Sequence, residues 1–406
     1  MSFKWSTLGE LSIGGGKYGI SAPAVEFDRN LPAYLRITDI NDDGSLNLSG
    51  RKSVADPLAF DYMLQEGDIV FARTGSSTGR NYYYDLRDGD FAFAGFLIKF
   101  SLDKEKVNPR FIKYYVQSKP YWDWVSSFNT GSTRGNINAK TYAQMPVPLP
   151  DRDVQDAIVC LCDSLSNKIR INNRLNDYLA ELGDALFAQT IEENEREIHY
   201  RSVESFCEVK GGKRLPKGSE LIAEANSHPY IRVRDLNNAS VLLLTSEMLY
   251  VDDETQSSIS RYVVNTGDVI VSVVGTIGLT AYIGKTLDEA NLTENCNKLT
   301  SFKGDFAAWS YFFLRSSMGM EAIRLGTVGA VQAKLPLKNI KSMNVPFAPA
   351  HAMERATSTL NGILEVIQAN ILESLALGEL RDALLPKLIS GEIDVSQFDA
   401  VRMDGV

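Results

Sequence analysis

Two kinds of hydrophobic pattern alternate along this chain. The first consists of short apolar and aromatic runs separated by Gly, Asn and Asp, such as YLRIT, DIVFA, FLIKF, YIRVR and DVIVSVV. Runs of this length, rich in β-branched and aromatic residues, predict strands. Helices are expected around 109–118 and 306–318. These segments together predict irregular α/β domains.

The second pattern is a heptad series that begins near Asp153. Its apolar positions follow 4-3 spacing, with Lys168 and Asn172 as a polar interruption, at Val154, Ile158, Leu161, Leu165, Leu175, Leu179, Leu182 and Leu186. A similar series lies towards the C-terminus, at Leu360, Leu364, Ile367, Ile371 and Leu375, and Pro386 is expected to end it. Each helix could pack on its own domain, but two such helices in one chain favour packing on each other.

The whole plan occurs twice, at a spacing of about 200 residues. The matching segments are PAYLRITDIND (32–42) with HPYIRVRDLNN (228–238), GDIV (67–70) with GDVI (267–270), MPVP (145–148) with MNVP (343–346), and ELGDALF (181–187) with ELRDALL (379–385). This spacing is too long for a solenoid repeat and is typical of a duplicated domain.

These patterns predict an α/β (α+β) fold with two similar tandem domains, separated by two long antiparallel coiled-coil helices, and with pseudo-twofold symmetry. The antiparallel direction follows because the first helix leads away from the first domain and the second must return along it. The expected boundaries are 1–150 for domain 1, 151–196 for helix 1, 197–349 for domain 2, 350–390 for helix 2 and 391–406 for a C-terminal tail packing near domain 1.

The formal net charge of −9 argues, taken alone, against a nucleic-acid partner. The acidic excess lies in two segments, however: residues 151–196 carry 5 basic and 10 acidic side chains, and residues 350–406 carry 4 and 9. The two predicted domains are close to neutral, with 17 basic and 16 acidic side chains in the first and 16 of each in the second. The net charge therefore does not exclude contact between local loops and DNA.

Several classes of function find no support in the motifs. The loop GSSTGR lacks the GK[ST] of a P-loop, and HExxH is absent. Cys160 and Cys162 form a CxC without a matching pair, which disfavours zinc, and His199, His228 and His351 are scattered. Few cysteines, no export signal and no apolar run of about 20 residues predict a cytoplasmic protein without a membrane span. No cofactor, metal or catalytic residue is expected in this chain, with a degenerate enzyme as an alternative.

Gly-rich loops carry the best candidates for DNA contact. EGDIVFARTGSSTGRNYYY (66–84) and TGDVIVSVVGTIGLTAYIG (266–284) share a strand followed by a Gly-rich loop, where Gly67, Gly75 and Gly79 suit turns or close approach to a ligand. The side chains differ, with Val273, Thr276, Ile277 and Thr280 in place of Arg73, Ser76, Ser77 and Arg80. Arg36 with Thr38, and Arg232 with Arg234, are expected to alternate on one strand face. Such side chains can reach phosphates and base edges, and ordinary solvated surface is the alternative.

The ordered set of motifs resembles the DNA-specificity subunit of Type I restriction–modification systems over nearly the whole chain. The segments that carry the resemblance are GKYGISAPA, YLRITDI, EGDIVFARTGSSTG, FAGFLIKF and GSTRGNINAKTYAQMPVPLP in the first copy, and GGKRLPKG, YIRVRDL, TGDVIVSVVGTIG and GTVGAVQAKLPLKNIKSMNVPFAP in the second. No single motif is specific for this family. The duplicated order of the motifs, with long helices between them, is specific for it. One departure is the acidic–Gln pair usual after the LPLP-like segment, which is Val154-Gln155 here and is missing from the second copy.

The resemblance implies a non-catalytic subunit that reads a bipartite asymmetric sequence in double-stranded DNA, one half-site per target-recognition domain, with the unread gap set by the helices. It also implies two methyltransferase (M) subunits that use S-adenosylmethionine and two restriction/translocase (R) subunits that use ATP and Mg as partners, which the acidic helices would face. Alternatives are a specificity subunit of a Type IIB-like enzyme and a two-headed protein scaffold that binds no DNA. By position in the matching loops, the residues expected to contact DNA are Lys17, Tyr18, Arg36, Thr38, Arg73, Ser76, Ser77, Arg80, Thr133, Arg134 and Asn136 in domain 1, and Lys213, Arg214, Arg232, Arg234, Thr276, Gln332 and Lys334 in domain 2.

Overall fold

The structure is a computed structural model that describes residues 4–48, 50–128, 135–236, 239–329 and 332–395. The chain divides into two compact units. Unit 1 comprises Met1–Lys168 and Leu377–Val406, and unit 2 comprises Ile169–Ala376. Because the divisions fall inside both long helices, each unit contains one α/β domain together with a segment of each helix.

Unit 1 is built from short strands that form two four-stranded sheets and one separate pair. Its strands are β1 (Lys4–Thr7), β2 (Lys17–Tyr18), β3 (Ala24–Glu26), β4 (Ala33–Leu35), β5 (Lys52–Val54), β6 (Asp68–Ala72), β7 (Asn81–Tyr83), β8 (Phe91–Phe93), β9 (Leu97–Ser101) and β10 (Pro146–Leu149). Its helices are α1 (Pro109–Tyr115), α2 (Lys119–Ser126), α3 (Ala139–Ala143) and the start of α4 (Arg152–Glu193). The sheet orders are β2-β9-β6-β7, antiparallel throughout, and β3-β5-β4-β8, in which β4 and β8 are parallel, while β1 pairs with β10.

Unit 2 has a similar arrangement, with sheets of five and three strands and one separate pair. Its strands are β11 (His199–Ser202), β12 (Glu208–Gly211), β13 (Pro229–Ile231), β14 (Val241–Leu242), β15 (Leu249–Tyr250), β16 (Val269–Ser272), β17 (Thr280–Ile283), β18 (Asn291–Leu292), β19 (Cys296–Thr300) and β20 (Asn344–Phe347). Its helices are α5 (Val203–Phe206), α6 (Asp253–Ile259), α7 (Ala307–Arg315), α8 (Ser317–Gly326), α9 (Leu337–Lys341) and most of α10 (Ala350–Ser390). The sheet orders are β12-β19-β16-β17-β14 and β15-β13-β18, and β11 pairs with β20. The helices expected around 109–118 and 306–318 are present as α1 and α7.

Both units contain the same buried ion pair beneath the central strand. In unit 1, Lys99 Nζ of β9 lies 2.7 Å from Asp68 Oδ2 of β6. In unit 2, Lys298 Nζ of β19 lies 3.0 Å from Asp268 Oδ2, just before β16. Each pair joins corresponding strands at corresponding positions, so the duplication read from the sequence is also present in the long-range contacts of the folded chain.

Helix α10 passes through Pro386 and ends at Ser390, so the expectation that Pro386 ends it is wrong. A proline inside a helix loses a backbone hydrogen bond and crowds the preceding turn, at a cost of about 3 kcal/mol. The following turn carries Leu388 and Ile389, which are buried in the core of unit 1 with Ile158 of α4. Burying each of these side chains contributes roughly 1.5–3 kcal/mol, which offsets the cost of the proline.

The two cores that α10 enters account for a part of its apolar character. By length and composition alone this helix could cross a membrane. Leu360, Leu364 and Ile367 are buried in the core of unit 2, as their heptad spacing predicted, and Leu388 is buried in that of unit 1. An amphipathic helix whose apolar side chains line protein cores has such a composition without a bilayer.

Within unit 2 the buried face of α4 is not the predicted one. Leu179 and Leu186 pack against the core, but Leu175 and Leu182 are 42% and 54% exposed. The buried positions of this segment are Asn172, Ala180, Gly183, Phe187 and Thr190. A Cβ at Gly183 would lie 2.2 Å from the ring of Phe312 in α7. The helix therefore lies close to α7 at a position without a side chain, and in this orientation Leu175 and Leu182 face outwards.

Candidate nucleic-acid interface

The loop after β6 is held by backbone conformation and packing. Gly75 and Gly79 have φ angles of +77° and +93°, which L side chains disfavour. A Cβ at Gly79 would also lie 2.7 Å from Val125 of α2, whereas no described residue lies within 4 Å of a Cβ at Gly75. Thr78 Oγ1 lies within hydrogen-bonding distance of the carbonyl oxygens of Gly75 (2.8 Å) and Gly135 (2.9 Å). The loop therefore presents its side chains from a fixed backbone.

The corresponding loop of unit 2 is one residue shorter. Asn81 of β7 and Thr280 of β17 are equivalent, because Asn81 pairs with β6 at the same position at which Thr280 pairs with β16. Arg80 therefore corresponds to Leu279, and the sequence comparison that set it against Thr280 is wrong by one residue. Gly79 and Gly278, which both have a φ of +93°, mark the same point in the two loops.

Four of the candidate residues line a single cleft in unit 1, with a volume of about 710 Å³. They are Tyr18, Arg36, Thr38 and Arg73, and Phe96 contributes to the same wall. Tyr18 comes from β2, Arg36 and Thr38 follow β4, and Arg73 follows β6. A concave site of this size with convergent polar side chains and aromatic walls is suited to ligand binding.

Arg73 brings a positive charge to this cleft, where none of the residues that the structure describes accepts a hydrogen bond from its guanidinium. Its guanidinium carbon lies 5.0 Å from the centroid of the Tyr18 ring, and its Nε is buried with no hydrogen-bond partner. The Tyr18 ring is fixed in turn, since its hydroxyl oxygen accepts the N–H of Ala139 at 3.2 Å. The terminal nitrogens of this guanidinium are not among the buried atoms, so a ligand in the cleft can supply acceptors to them.

Arg36 and Arg232 are instead paired inside their own units. The Nε of Arg36 donates to Asp39 at 2.9 Å, and the Nε of Arg232 donates to Asp235 at 2.8 Å. The hydrogen bond to Asp39 raises the pKa of the Arg36 guanidinium. β4 and β13 each end at the residue before the arginine, and a short 3-10 turn begins at the residue after it. The expectation that Arg36 with Thr38, and Arg232 with Arg234, alternate on a strand face is therefore wrong.

The other candidates have varied surroundings. Three have partners: Arg80 Nε lies 2.7 Å from Asp42, Arg214 Nε lies 2.7 Å from Glu294, and the Lys213 ammonium lies 5.3 Å from the ring centroid of Tyr262. Glu294 raises the pKa of Arg214 through the hydrogen bond between them. Ser77 is buried, and the exposed candidates are Lys17, Ser76, Asn136, Arg234, Thr276, Gln332 and Lys334. Thr133 and Arg134 lie outside the described residues.

Phe96 is a candidate that the inspection of the sequence missed. Its side chain is 59% exposed in the turn between β8 and β9, and its carbonyl oxygen accepts the N–H of Arg73 at 3.1 Å. In unit 2 the carbonyl oxygen of Asn295 accepts the N–H of Val273 at 2.8 Å, so Asn295 corresponds to Phe96. The sequence signal that could have identified Phe96 was a large apolar residue after Gly, in FAGFLIKF, between two runs that predict strands.

Three of the four cysteines are unsuited to nucleophilic chemistry. Burial raises the pKa of the thiols of Cys162, Cys207 and Cys296 to about 12, whereas reactive cysteines have a lowered pKa. Among the residues that the structure describes, no group of three or more His, Cys, Asp or Glu side chains could hold a metal ion. The expectation of a chain without its own metal or catalytic centre stays a prediction.

Comparison with known families shows where this architecture occurs. The model of the Type I restriction modification DNA specificity domain matches residues 32–181 and 195–375. The chain belongs to this family. Each match covers most of one α/β domain and a part of the long helix that follows it. The resemblance drawn from the sequence motifs is thereby confirmed, and the protein is a Type I specificity subunit.

Individual relatives of this specificity subunit are distant but extend over most of its length. It is 19% identical over 323 residues to the Type I restriction enzyme MjaIX specificity subunit of Methanocaldococcus jannaschii, covering 73% of this chain and 72% of the relative. It is 20% identical over 467 residues to the HindI specificity subunit of Haemophilus influenzae, covering 95% and 99%. The crystal structure of a Type I restriction–modification S subunit from M. genitalium aligns with a TM-score of 0.52 at 18% identity, over 95% of this chain and 96% of that one. This likeness supports the fold, with two tandem α/β domains.

The two domains of the specificity subunit share a scaffold and differ in the cleft. The hydroxyl of Tyr34 donates to the carbonyl oxygen of Ile20, and that of Tyr230 donates to the carbonyl oxygen of Lys213, both at 2.8 Å. Lys213 therefore corresponds to Ile20, two residues after Tyr18. By the same correspondences, the positions of Tyr18, Arg73 and Phe96 are occupied in unit 2 by Gly211, Val273 and Asn295.

Proposed function

We propose that this protein is the non-catalytic, sequence-reading subunit of a Type I restriction–modification complex. Its target-recognition domains, 1–150 and 197–349, each read one half of a bipartite asymmetric sequence in double-stranded DNA, and the bases between the halves are unread. Methylation and cleavage belong to two methyltransferase subunits that use S-adenosylmethionine and two restriction subunits that use ATP and Mg. The complex acts on DNA in the cytoplasm.

The observation that carries this proposal is a shared scaffold with divergent loops. Lys99–Asp68 and Lys298–Asp268 occupy equivalent positions in the two domains. The loops set on this scaffold differ in length and in their exposed polar side chains. Two domains that read different half-sites need a common backbone and different side chains at the base edges.

A methylation assay tests the proposal directly. The chain, purified with its methyltransferase partner, is given a pool of random duplexes, and the methylated sites are sequenced. We expect a split motif with two unlike halves and a fixed gap. A continuous motif would contradict the one-domain-per-half arrangement, and no enrichment would favour a scaffold that does not bind DNA.

Helices α4 and α10 are proposed to form the antiparallel coiled coil that sets the gap. The support comes from contacts inside each unit. In unit 1, Ile158 near the start of α4 is buried with Leu388 near the end of α10. In unit 2, the buried Asn172 donates from Nδ2 to Glu373 Oε2 at 2.8 Å. A polar contact within an apolar seam is a common way to fix the register of a coiled coil.

Lengthening both helices should lengthen the unread gap. One heptad inserted after Lys168 in α4 and one after Ala376 in α10 keep the seam in phase and add about 10 Å. At about 3.4 Å per base pair, the gap should grow by about 3 base pairs, and the two half-sites should not change. The motif recovered from the random pool measures this. An unaltered gap in a complex that still methylates would contradict the role of the helices as a ruler.

An exposed apolar stripe on α4 supports docking of a partner subunit. Its members are Ile171, Leu175, Tyr178 and Leu182, which follow 4-3-4 spacing and are 42–57% exposed. The segment 151–196 that contains it carries 10 acidic and 5 basic side chains, which suits a protein surface better than phosphates. A row of large apolar side chains on a helix is a typical interaction surface.

Placing charges in this stripe should separate partner binding from folding. Leu175→Glu with Leu182→Glu should reduce co-purification of the methyltransferase subunit by more than about tenfold, because an interface core excludes unpaired charge. The thermal midpoint of the free chain should change little, since both side chains are exposed. Asn173→Glu with Ala188→Glu adds the same charge at exposed positions of α4 outside the stripe and should leave co-purification intact. Equal effects of the two double variants would indicate a general charge effect instead.

A further inference from the structure

The cleft of the first domain also indicates one base of its half-site. We infer that Arg73 is a specificity-determining residue that reads a guanine through the terminal nitrogens of its guanidinium. The inference rests on the proposed function, because it requires that this cleft faces DNA. Arg73 is thereby a base reader, as distinct from residues that bind phosphates and from residues that stabilise the fold.

The other arginines near the cleft are already committed to carboxylates. Arg36 is bound to Asp39 through two side-chain nitrogens, and Arg80 is bound to Asp42 and to the carbonyl oxygen of Ile40. The guanidinium of Arg73 forms no hydrogen bond or ion pair with any residue in the described parts of the chain, and its Nε is already buried. Its terminal nitrogens are therefore the donors available to an incoming acceptor.

The position of the Arg73 guanidinium is restricted on several sides. The backbone is fixed on both sides of the side chain, because the N–H of Arg73 donates to Phe96 at 3.1 Å and its carbonyl oxygen accepts the N–H of Ile137 at 2.9 Å. The guanidinium then packs on the ring of Tyr18, which is itself anchored on Ala139. A planar fork held in this way suits recognition of two acceptors at a set spacing better than contact with a freely oriented phosphate.

Guanine is the base that offers this pair of acceptors. Its O6 and N7 lie side by side in the major groove, and a bidentate arginine is the commonest specific contact to it. Adenine presents a donor beside its N7, which an arginine cannot pair, and each pyrimidine edge presents a single polar group. A carboxylate ligand would also satisfy the fork, but it is not a component of duplex DNA.

The duplication provides an independent argument. If the two domains read different half-sites, side chains that the two domains share belong to the scaffold, and side chains that differ belong to the readers. Arg36–Asp39 recurs as Arg232–Asp235. The cleft cluster does not recur, since all three of its members are replaced, by Gly211, Val273 and Asn295. The replacement of the cluster as a unit indicates a reading function that only the first half-site requires.

The test compares three variants of the full chain, each in complex with its methyltransferase partner, in the random-duplex methylation assay. Arg73→Ala removes the fork, and Arg73→Gln provides the amide that pairs with adenine. Arg29→Ala is the matched control, because it removes one positive charge from an exposed position outside the cleft. Thermal unfolding of each complex accompanies the assay.

We expect Arg73→Ala to lower the preference for guanine at one position of one half-site by about 5- to 150-fold. Arg73→Gln should move the preference at that position towards adenine, and Arg29→Ala should reproduce the wild-type motif. Weaker methylation of all sequences alike would overturn the inference in favour of a phosphate contact, and an unchanged motif would overturn it as well. A lower melting temperature with loss of the whole half-site would identify Arg73 as a scaffold residue, which also overturns it. If the wild type yields no split motif, it is the proposed function that fails.

Discussion

Replacing Asp268 by alanine should lower the free energy of unfolding of unit 2 by about 3–5 kcal/mol. The side chains of Asp268 and Lys298 are only 5% and 7% exposed. The carboxylate also accepts the N–H of Asn265 at 2.9 Å. Without it, the Lys298 ammonium stays buried with the carbonyl oxygen of Val263 as its remaining acceptor among the described residues. Urea unfolding of the full chain measures the loss, and hydrogen exchange read by mass spectrometry assigns it to unit 2.

Two further variants test whether that loss of stability comes from the buried ion pair. Replacing both partners, with Asp268→Leu and Lys298→Met, should restore most of the stability, because no charge is then left buried alone. Asp253→Ala removes an aspartate that is 97% exposed and paired with His228, and should cost less than about 1 kcal/mol. A loss for Asp268→Ala no greater than that for Asp253→Ala would show that the buried pair does not stabilise the scaffold.

Gly19→Ala should disrupt the cleft and destabilise unit 1 by about 1–3 kcal/mol. A Cβ at Gly19 would lie 2.3 Å from the carbonyl oxygens of both Phe93 and Ala94. These are backbone atoms, so the β2 segment itself must move away from the end of β8. Tyr18, the neighbouring residue, would then lose its position over Arg73. We expect a lower thermal midpoint and a motif that is degraded in one half-site.

Gly15→Ala provides the matched control for this variant. It makes the same change four residues earlier, where none of the described residues lies within 4 Å of the added methyl group. We expect wild-type stability and the wild-type motif. If Gly19→Ala behaves in the same way, the close approach of β2 to β8 does not shape the reading surface.

Much of the fold follows from local and periodic signals. Short β-branched and aromatic runs predict strands because they suit a pleated, buried surface, and DIVFA is fully buried as β6. The long helices are predicted by an apolar period of about 3.5, and they begin within two residues of the expected positions, at Arg152 and Ala350. The duplication is visible because corresponding segments keep the same order and nearly the same spacing.

The buried face of a long helix is harder to predict. The heptad spacing selects Leu175 and Leu182 as seam positions, but they are exposed. Several faces of α4 carry apolar residues, so the periodicity alone does not say which face meets the domain. The contact between Gly183 and Phe312 makes that choice, and it joins residues far apart in the chain.

The sequence by itself determined the duplicated plan, the mixed α/β class, the two long helices and the family, because these depend on the order and period of residues along the chain. Only the tertiary structure decided which of the candidate arginines is paired with a carboxylate. Arg80 is paired with Asp42 and Arg214 with Glu294, partners that are 38 and 80 residues away in the chain. Whether a guanidinium is free depends on which carboxylates the fold brings near it, and chain order does not encode that proximity in any local pattern. Arg73 differs from these two for this reason: in the described part of the chain, folding brings an aromatic ring to its guanidinium and no acceptor.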